Sequence, residues 1–175
     1  MRVAADLAER VLKYKPVQMP FSQQELSARE RRMLAQLVAA SRYMESIYWR
    51  QSDPEALKLY QQLAASTHSQ DQQLRRFLFI NASRYDLLRE HEPFVGDEPV
   101  HPGRALYPAD ISREALERYA QEHPDKKQAI YDPYTVVRRR GDQLSGVPYR
   151  VAYKSYLESA ARALRAAVNS LRGRA

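Results

Sequence analysis

The protein has 175 residues, of which 28% are charged, and its formal net charge is +7. It contains no cysteine, which excludes disulfide bonds, thiol catalysis and thiolate metal sites. The length fits one domain with its own core, and no apolar run is long enough to cross a membrane. The first residues lack the apolar stretch of a signal peptide, so we expect a cytoplasmic protein.

Residues 14–90 are predicted to form a first helical group. Ser27 and Glu30 have the spacing of a capping box, so a helix should begin there and run to about Arg50. Asp53, which is followed by proline, marks the start of a second helix. The apolar seam of the long helix is predicted at Met33, Leu37, Ala40, Met44 and Ile47.

Residues 91–110 are predicted to form an irregular strap. Four prolines and two glycines interrupt any regular helix in this segment. A loop of this length is typical either of a functional segment or of a strap that packs against helices. The candidate functional residues of the strap are His91, Glu92, Phe94 and Tyr107.

Two further elements are predicted between the strap and the last helix. Residues 111–133 should hold one helix, capped by Asp110 or Ser112, followed by a connection. Over residues 134–149, β-branched and aromatic residues flank a Gly-Asp turn, which predicts a β-hairpin.

The clearest helical pattern covers residues 150–172, and Gly173 is predicted to end that helix. Its seam is predicted at Tyr153, Leu157, Ala160, Leu164, Ala167 and Leu171. The predicted fold class is therefore mostly α: a helical bundle with a proline-rich strap and one small β-hairpin, in a single domain over residues 1–175.

The basic charge is concentrated in residues 135–175. This segment holds nine basic and two acidic residues, so the net charge of the whole chain arises there. Such a face can bind phosphate groups, meet an acidic surface on another domain, or simply be solvated. The candidate interaction surface comprises Arg138, Arg139, Arg140, Arg150 and Lys154. Nucleic acid is the less favoured partner, because neighbouring strand residues point to opposite faces.

No catalytic motif is present in the sequence. A P-loop, a GxGxxG run, a GxSxG run and an HExxH pair are all missing. His91 and His101 lie on the strap among acids, but their spacing fixes no metal geometry, and we interpret them as hydrogen-bonding loop residues. The nearby acids are interpreted as solvated or paired with basic side chains. We therefore predict no catalytic, cofactor-binding or metal-binding residue in this chain.

Several short segments nevertheless resemble a known family. They are LVAASRYM at 37–44, IYWRQ at 47–51, HEPFV at 91–95, ALYPAD at 105–110, YTVVRR at 134–139, VPY at 147–149 and AY at 152–153. In this order and spacing, they resemble the N-terminal region of bacterial proteins similar to dipeptidyl-peptidase III, a family of zinc metallopeptidases. The resemblance covers about residues 14–168.

The resemblance implies a scaffold rather than an active site. The family's zinc site uses an HExxGH helix and a further glutamate from an EExxAD-type motif, and neither motif occurs here. The implied function is that of a non-catalytic helical N-terminal domain of such a hydrolase, whose parent protein releases dipeptides from peptide N-termini. Zinc is implied for the parent alone. The implied partner is the remainder of the parent or another protein domain, with a peptide as a further option. The chain could be a fragment, a proteolytic remnant or a truncated paralogue.

An alternative hypothesis stands beside this one. The chain could be a stand-alone helical module that binds an acidic partner or nucleic acid through its basic C-terminal face. A domain taken from a larger protein exposes its former interface as an apolar patch. The fragment hypothesis therefore predicts such a patch near Tyr153, Tyr156 or the strap.

Overall fold

The structure of the protein is a computed structural model that describes residues 2–22 and 24–172. Contacts along the chain divide it into two compact units. The described residues of the first unit lie in 2–14 and 49–152, and those of the second lie in 15–48 and 153–172. One domain can contain two such units, so the single-domain organisation stays a prediction.

Within the described residues the chain forms eight α-helices and two small antiparallel sheets, and the mostly α fold class is confirmed. The helices are α1 (Leu7–Leu12), α2 (Ala28–Ser52), α3 (Pro54–Gln62), α4 (Ser69–Asn81), α5 (Arg113–Glu122), α6 (Pro124–Tyr131), α7 (Tyr149–Ala152) and α8 (Lys154–Arg172). The strands are β1 (Tyr85–Asp86), β2 (Glu92–Pro93), β3 (Thr135–Arg140) and β4 (Gln143–Pro148). Short 3₁₀ helices occupy Leu63–Ala65, Leu87–Arg89 and Arg104–Leu106. None of the helices in this described part is both long enough and apolar enough to span a bilayer.

Local side-chain caps set the helix starts. The Ser27 backbone N–H donates to the Glu30 carboxylate at 2.7 Å, and the Glu30 N–H donates to the Ser27 hydroxyl at 3.3 Å, so the predicted capping box is formed. Asp53 accepts from the backbone N–H of Ala56 at 3.1 Å and caps α3. Asp110 and Ser112 were the two predicted caps of α5. The cap is Ser112, whose hydroxyl accepts a hydrogen bond from the Ala115 backbone N–H.

The first unit contains a helical cluster and a hairpin cluster. The helical cluster is centred on Phe77, whose ring makes edge contacts with Phe94 at 4.6 Å and with Tyr14 at 5.8 Å between ring centres. Its other buried members are Leu7, Val11, Trp49, Ala56, Leu74, Leu78, Ala82 and Val95. Burial of these aromatic and aliphatic side chains is the main force that holds α1, α3 and α4 together.

The hairpin cluster consists of Ile111, Leu116, Ile130, Val137 and Leu144, and it lies against the predicted β-hairpin. Strands β3 and β4 pair from Arg140 opposite Gln143 to Thr135 opposite Pro148, as the sequence predicted. Gly141, with φ of 58°, opens the two-residue turn, which needs a left-handed backbone at that position.

A second, smaller hairpin is present besides the one predicted from the sequence. Strand β1 pairs with β2, with Tyr85 opposite Pro93. The segment between the two strands contains the 3₁₀ helix over Leu87–Arg89. Two-residue strands carry no alternation that a sequence pattern could reveal.

Two helical predictions also need correction. The predicted connection after α5 contains a further helix, α6, with Pro124 at its first position. The predicted continuous helix over 150–172 is interrupted at Tyr153, which separates α7 from α8. The predicted stop at Gly173 lies outside the described residues.

The second unit contains α8 and most of α2, and their predicted seams are only partly buried. On α2, Ala40 and Ile47 are buried, whereas Leu37 and Met44 are exposed. On α8, the buried stripe consists of Ala160, Ala163 and Ala167, and both Leu164 and Leu171 are exposed; Tyr153, just before α8, is also buried. Apolar residues that alternate at four- and three-residue spacing stay on one face only when two helices supercoil around each other. On a straight helix this repeat rotates slowly around the surface, so part of the predicted seam is exposed.

Candidate functional site

The candidate residues of the strap do not form one site. Phe94 is 1% exposed and belongs to the helical cluster. Glu92 lies on β2 and accepts a hydrogen bond from the Arg10 guanidinium at 2.8 Å. His91 and Tyr107 lie elsewhere on the strap, near Arg104 and Ile130 respectively.

Glu92 belongs to a buried ion network around Arg10. This arginine is 3% exposed and contacts Asp6 at 2.9 Å, Asp86 at 3.4 Å and Glu92 at 2.8 Å. Arg89 joins the network through Asp6 at 2.8 Å. A buried guanidinium is tolerated only when such partners compensate it, so we assign the network a structural role. The hydrogen bond from Arg10 holds the pKa of Glu92, and that of Asp6, below the usual range.

The strap residues do not fit a zinc ion. Both ring nitrogens of His101 are engaged, because Nδ1 accepts from the Gly103 N–H at 3.1 Å and Nε2 donates to the Ile111 carbonyl at 3.0 Å. The His91 ring lies against Arg104. Among residues 2–22 and 24–172, no three histidine or acidic side chains converge as a metal-binding group.

A cavity of about 390 Å³ in the first unit is the most distinctive feature of the strap region. We call it the arginine pocket. Its lining includes Arg50, Arg84, Arg104, Arg138, Tyr85 and Tyr107. These residues come from α2, the two small hairpins and the strap, so the pocket is assembled by tertiary structure alone.

A tight turn in the strap positions one wall of this pocket. A side chain at Gly103 would have its Cβ 2.7 Å from the Tyr107 ring, so the close approach requires glycine. The Gly103 N–H is bonded to His101, and the Arg104 N–H donates to the His101 carbonyl at 2.8 Å. These bonds hold Arg104 at φ of 46°, a left-handed conformation that is costly for a residue other than glycine.

Arg104 is packed against a second left-handed residue. One of its guanidinium nitrogens lies 3.4 Å from both ring nitrogens of His91, whose φ is 66°. The other terminal nitrogen is 3.5 Å from the hydroxyl of Ser52. Backbone strain of this kind is found at sites where a side chain must be held in one orientation.

The charges in the pocket are only partly compensated. Arg84 forms a 2.8 Å ion pair with the buried Asp53, and the Glu55 carboxylate pairs with Lys58 at 2.7 Å. By contrast, Arg104 contacts the Ser52 hydroxyl and the His91 ring, and Arg138 bonds to backbone carbonyls. None of the described carboxylates lies within ion-pair distance of either arginine. The pocket therefore has an excess of positive charge.

The two tyrosines contribute uncharged walls to the pocket. Burial raises the pKa of the Tyr85 hydroxyl and, independently, that of the Tyr107 hydroxyl, so both groups stay protonated at neutral pH. Tyr107 donates to the Ile130 carbonyl at 3.4 Å. An uncharged wall beside excess guanidinium charge suits an anionic group on an organic ligand.

The predicted basic surface is divided between the two units. Arg138, Arg139 and Arg140 lie on β3, and Arg150 lies on α7 in the same unit. Arg139 is paired with Asp110 at 3.4 Å. Lys154 opens α8 in the second unit, 3.9 Å from Glu158.

The pocket was not predicted from the sequence. Arg138 was proposed as a basic surface residue and Tyr107 as a strap residue, but nothing linked them to Arg50, Arg84 or Arg104. The only local signal was the Pro-Gly-Arg run at 102–104, which is typical of a turn.

Comparisons with known proteins identify the fold. No family model matches the chain, and no curated protein matches it. Its structure is similar to that of dipeptidyl-peptidase III from Caldithrix abyssi, with a TM-score of 0.86, 28% identity, and coverage of 93% of this chain and 31% of that one. It is also similar to dipeptidyl-peptidase III from Corallococcus sp. strain EGB, with a TM-score of 0.83, 25% identity, and coverage of 95% and 32% respectively. The chain thus spans about a third of the length of these proteins, and the predicted resemblance is confirmed.

Proposed function

We propose that this chain is a non-catalytic helical domain of a dipeptidyl-peptidase III-like zinc metallopeptidase and corresponds to its N-terminal region. The observation that carries the proposal is the structural match over 93% of this chain with 31% of the Caldithrix abyssi protein. The remaining part of the parent would hold the zinc ion and the catalytic groups. The parent would release dipeptides from peptide N-termini.

The side chains of the strap support a scaffold role. Glu92 is committed to Arg10, and both nitrogens of His101 are committed to backbone groups. A general base needs a free acceptor aimed at its substrate, and a metal ligand needs a free nitrogen or oxygen. His101 has no free nitrogen, and Glu92 is held in ion pairs with Arg10 and Arg89.

The outward face of α8 supports a partner for the second unit. Leu164, Val168 and Leu171 follow one another at helical spacing, and each is nearly half exposed, whereas Ala163 and Ala167 are buried. A helix that buries alanine and exposes its larger apolar residues is typical of an interface. We assign this stripe to contact with the remainder of the parent. Tyr153 itself is buried, so the Tyr153 side chain is not part of an exposed patch.

Replacing a region of a known enzyme tests the proposal. In a chimera, this chain would take the place of the matching third of the Caldithrix abyssi protein. We expect the chimera to release dipeptides from peptides, whereas the same enzyme without that third should not. The isolated chain with added zinc should release none. A folded but inactive chimera, or zinc-dependent dipeptide release by the isolated chain, would contradict the proposal.

Binding of an acidic macromolecule is a second candidate function. It is favoured by Arg140, which shares one strand face with Arg138 and has no ion pair among the described residues. Reversing the charge of Arg140 should then weaken binding to heparin or duplex DNA, and binding should fall steeply with salt. Arg139, which is paired with Asp110, provides the matched control. Equal effects of the two reversals would count against this candidate.

A further inference from the structure

We propose that the arginine pocket binds a peptide carboxylate, either the C-terminal carboxylate or an acidic side chain. The inference does not depend on the proposed function, because binding can be measured on this chain alone. It rests on uncompensated charge, on fixed donors and on the chemistry of the pocket walls.

The charge balance of the pocket favours the binding of an anionic group. Asp53 neutralises Arg84, and Lys58 neutralises Glu55. This leaves the guanidinium groups of Arg104 and Arg138 without a carboxylate partner in the part of the chain that the structure describes. Guanidinium groups bind carboxylates through charge-assisted and often bidentate hydrogen bonds.

The two arginines are held in place before any ligand arrives. Arg104 is fixed by its left-handed backbone and by the contact of its guanidinium with His91 at 3.4 Å. One terminal nitrogen of Arg138 donates to the carbonyl of Ala105 at 3.3 Å and to that of Val137 at 3.2 Å. Each guanidinium keeps further N–H donors. Donors that are already ordered lose little entropy on binding, which favours affinity.

The walls suit a carboxylate that is carried by a peptide. Tyr85 and Tyr107 contribute uncharged rings, which suit the carbon skeleton of a peptide. A cavity of about 390 Å³ is large enough for the end of a peptide or one long side chain.

Calorimetric titration with defined probes tests the inference. The first probe is acetyl-trialanine with a free carboxylate, and the second is the same peptide as its amide. The third is acetyl-Ala-Glu-Ala-amide, which offers only a side-chain carboxylate, and the fourth is inorganic phosphate. We expect at least one carboxylate probe to bind about tenfold or more tightly than the neutral amide, because a charge-assisted hydrogen bond is lost in the amide. Comparison of the first and third probes identifies the source of the carboxylate.

Substitutions locate the binding to this pocket. Arg138→Gln should weaken carboxylate binding about tenfold or more, and so should Arg104→Gln. Arg140→Gln is the matched control, since Arg140 lies on the same strand and does not line the pocket. Arg138 is exposed, so its variant should fold even if the strained Arg104 position does not tolerate change. Circular dichroism checks the fold of each variant.

Several outcomes would overturn the inference. Among the probes, the inference fails if the acid and amide peptides bind equally, or if neither carboxylate probe binds at millimolar concentration. It also fails if phosphate binds more tightly than both carboxylate probes. Among the variants, it fails if Arg138→Gln and Arg140→Gln weaken binding equally.

Discussion

The helical and hairpin clusters of the first unit are held together in different ways. The buried charged residues of the described chain, Arg10, Asp53 and Asp86, all lie beside the helical cluster. The hairpin cluster has no such residue, and its polar contact is the Tyr119 hydroxyl, which accepts from the Leu144 N–H at 2.9 Å and lies 3.3 Å from the Leu144 carbonyl. The helical cluster therefore depends on complementary side chains, whereas the hairpin depends on how closely backbone segments approach.

The largest expected effect comes from the centre of the helical cluster. Phe77→Ala should lower the free energy of unfolding by about 4 kcal/mol, because it removes a fully buried ring and leaves a cavity. Urea unfolding measures the change. Phe79→Ala is the control, because Phe79 is 53% exposed, and it should cost about 1 kcal/mol or less. Similar losses in the two variants would show that Phe77 is not central to the cluster.

Removal of the buried cation should have the next largest effect. Arg10→Met keeps an unbranched side chain but removes the guanidinium and leaves Asp86 buried without its ion-pair partner. The free energy of unfolding should therefore fall by about 3 kcal/mol. Arg2→Met removes an exposed arginine from its pair with Asp97 and should change stability by about 1 kcal/mol or less. A stable Arg10→Met variant would mean that Asp86 finds other compensation.

The hairpin is tested by Gly146→Ala. A Cβ at this position would lie 2.1 Å from the Ala129 carbonyl oxygen, so β4 and α6 would have to separate. We expect a loss of about 2 kcal/mol in thermal or urea unfolding. Ser145→Ala, at the exposed neighbouring position, should be close to neutral. If both variants unfold alike, close backbone approach is not what holds this cluster.

The smallest expected effect concerns pH. Arg10 holds the pKa of Glu92 and of Asp6 below their unfolded values, so these carboxylates favour folding above about pH 4. That contribution should be lost as pH falls through the lowered pKa values. It should be modest, because both carboxylates are partly exposed to solvent.

Comparison of variants checks this pH dependence. Urea unfolding at pH 7 and pH 3 should show a smaller decrease in stability for Arg10→Met than for the unchanged chain. An equal decrease in both would assign the acid sensitivity to other carboxylates.

Much of the fold could be predicted because its signals are local. The Ser27 and Asp53 caps act within three residues of their position, and the Gly141 turn joins neighbouring strands. The start of α6 was equally readable at Pro124, although the prediction treated that segment as a connection. The exposure of Leu164 could not be predicted from the sequence. The spacing of apolar residues indicates the apolar face of a helix but not which part of the structure covers that face.

The sequence by itself determined where most helices begin, where the β3–β4 hairpin turns, and which family the chain resembles. Only the tertiary structure decided that His101 is fully engaged and that Arg104 and Arg138 line one cavity, neither of them paired with a described carboxylate. The physical reason is range. A cap or a turn is a bond between near neighbours, whereas the charge of a cavity depends on side chains that meet only after distant segments have packed.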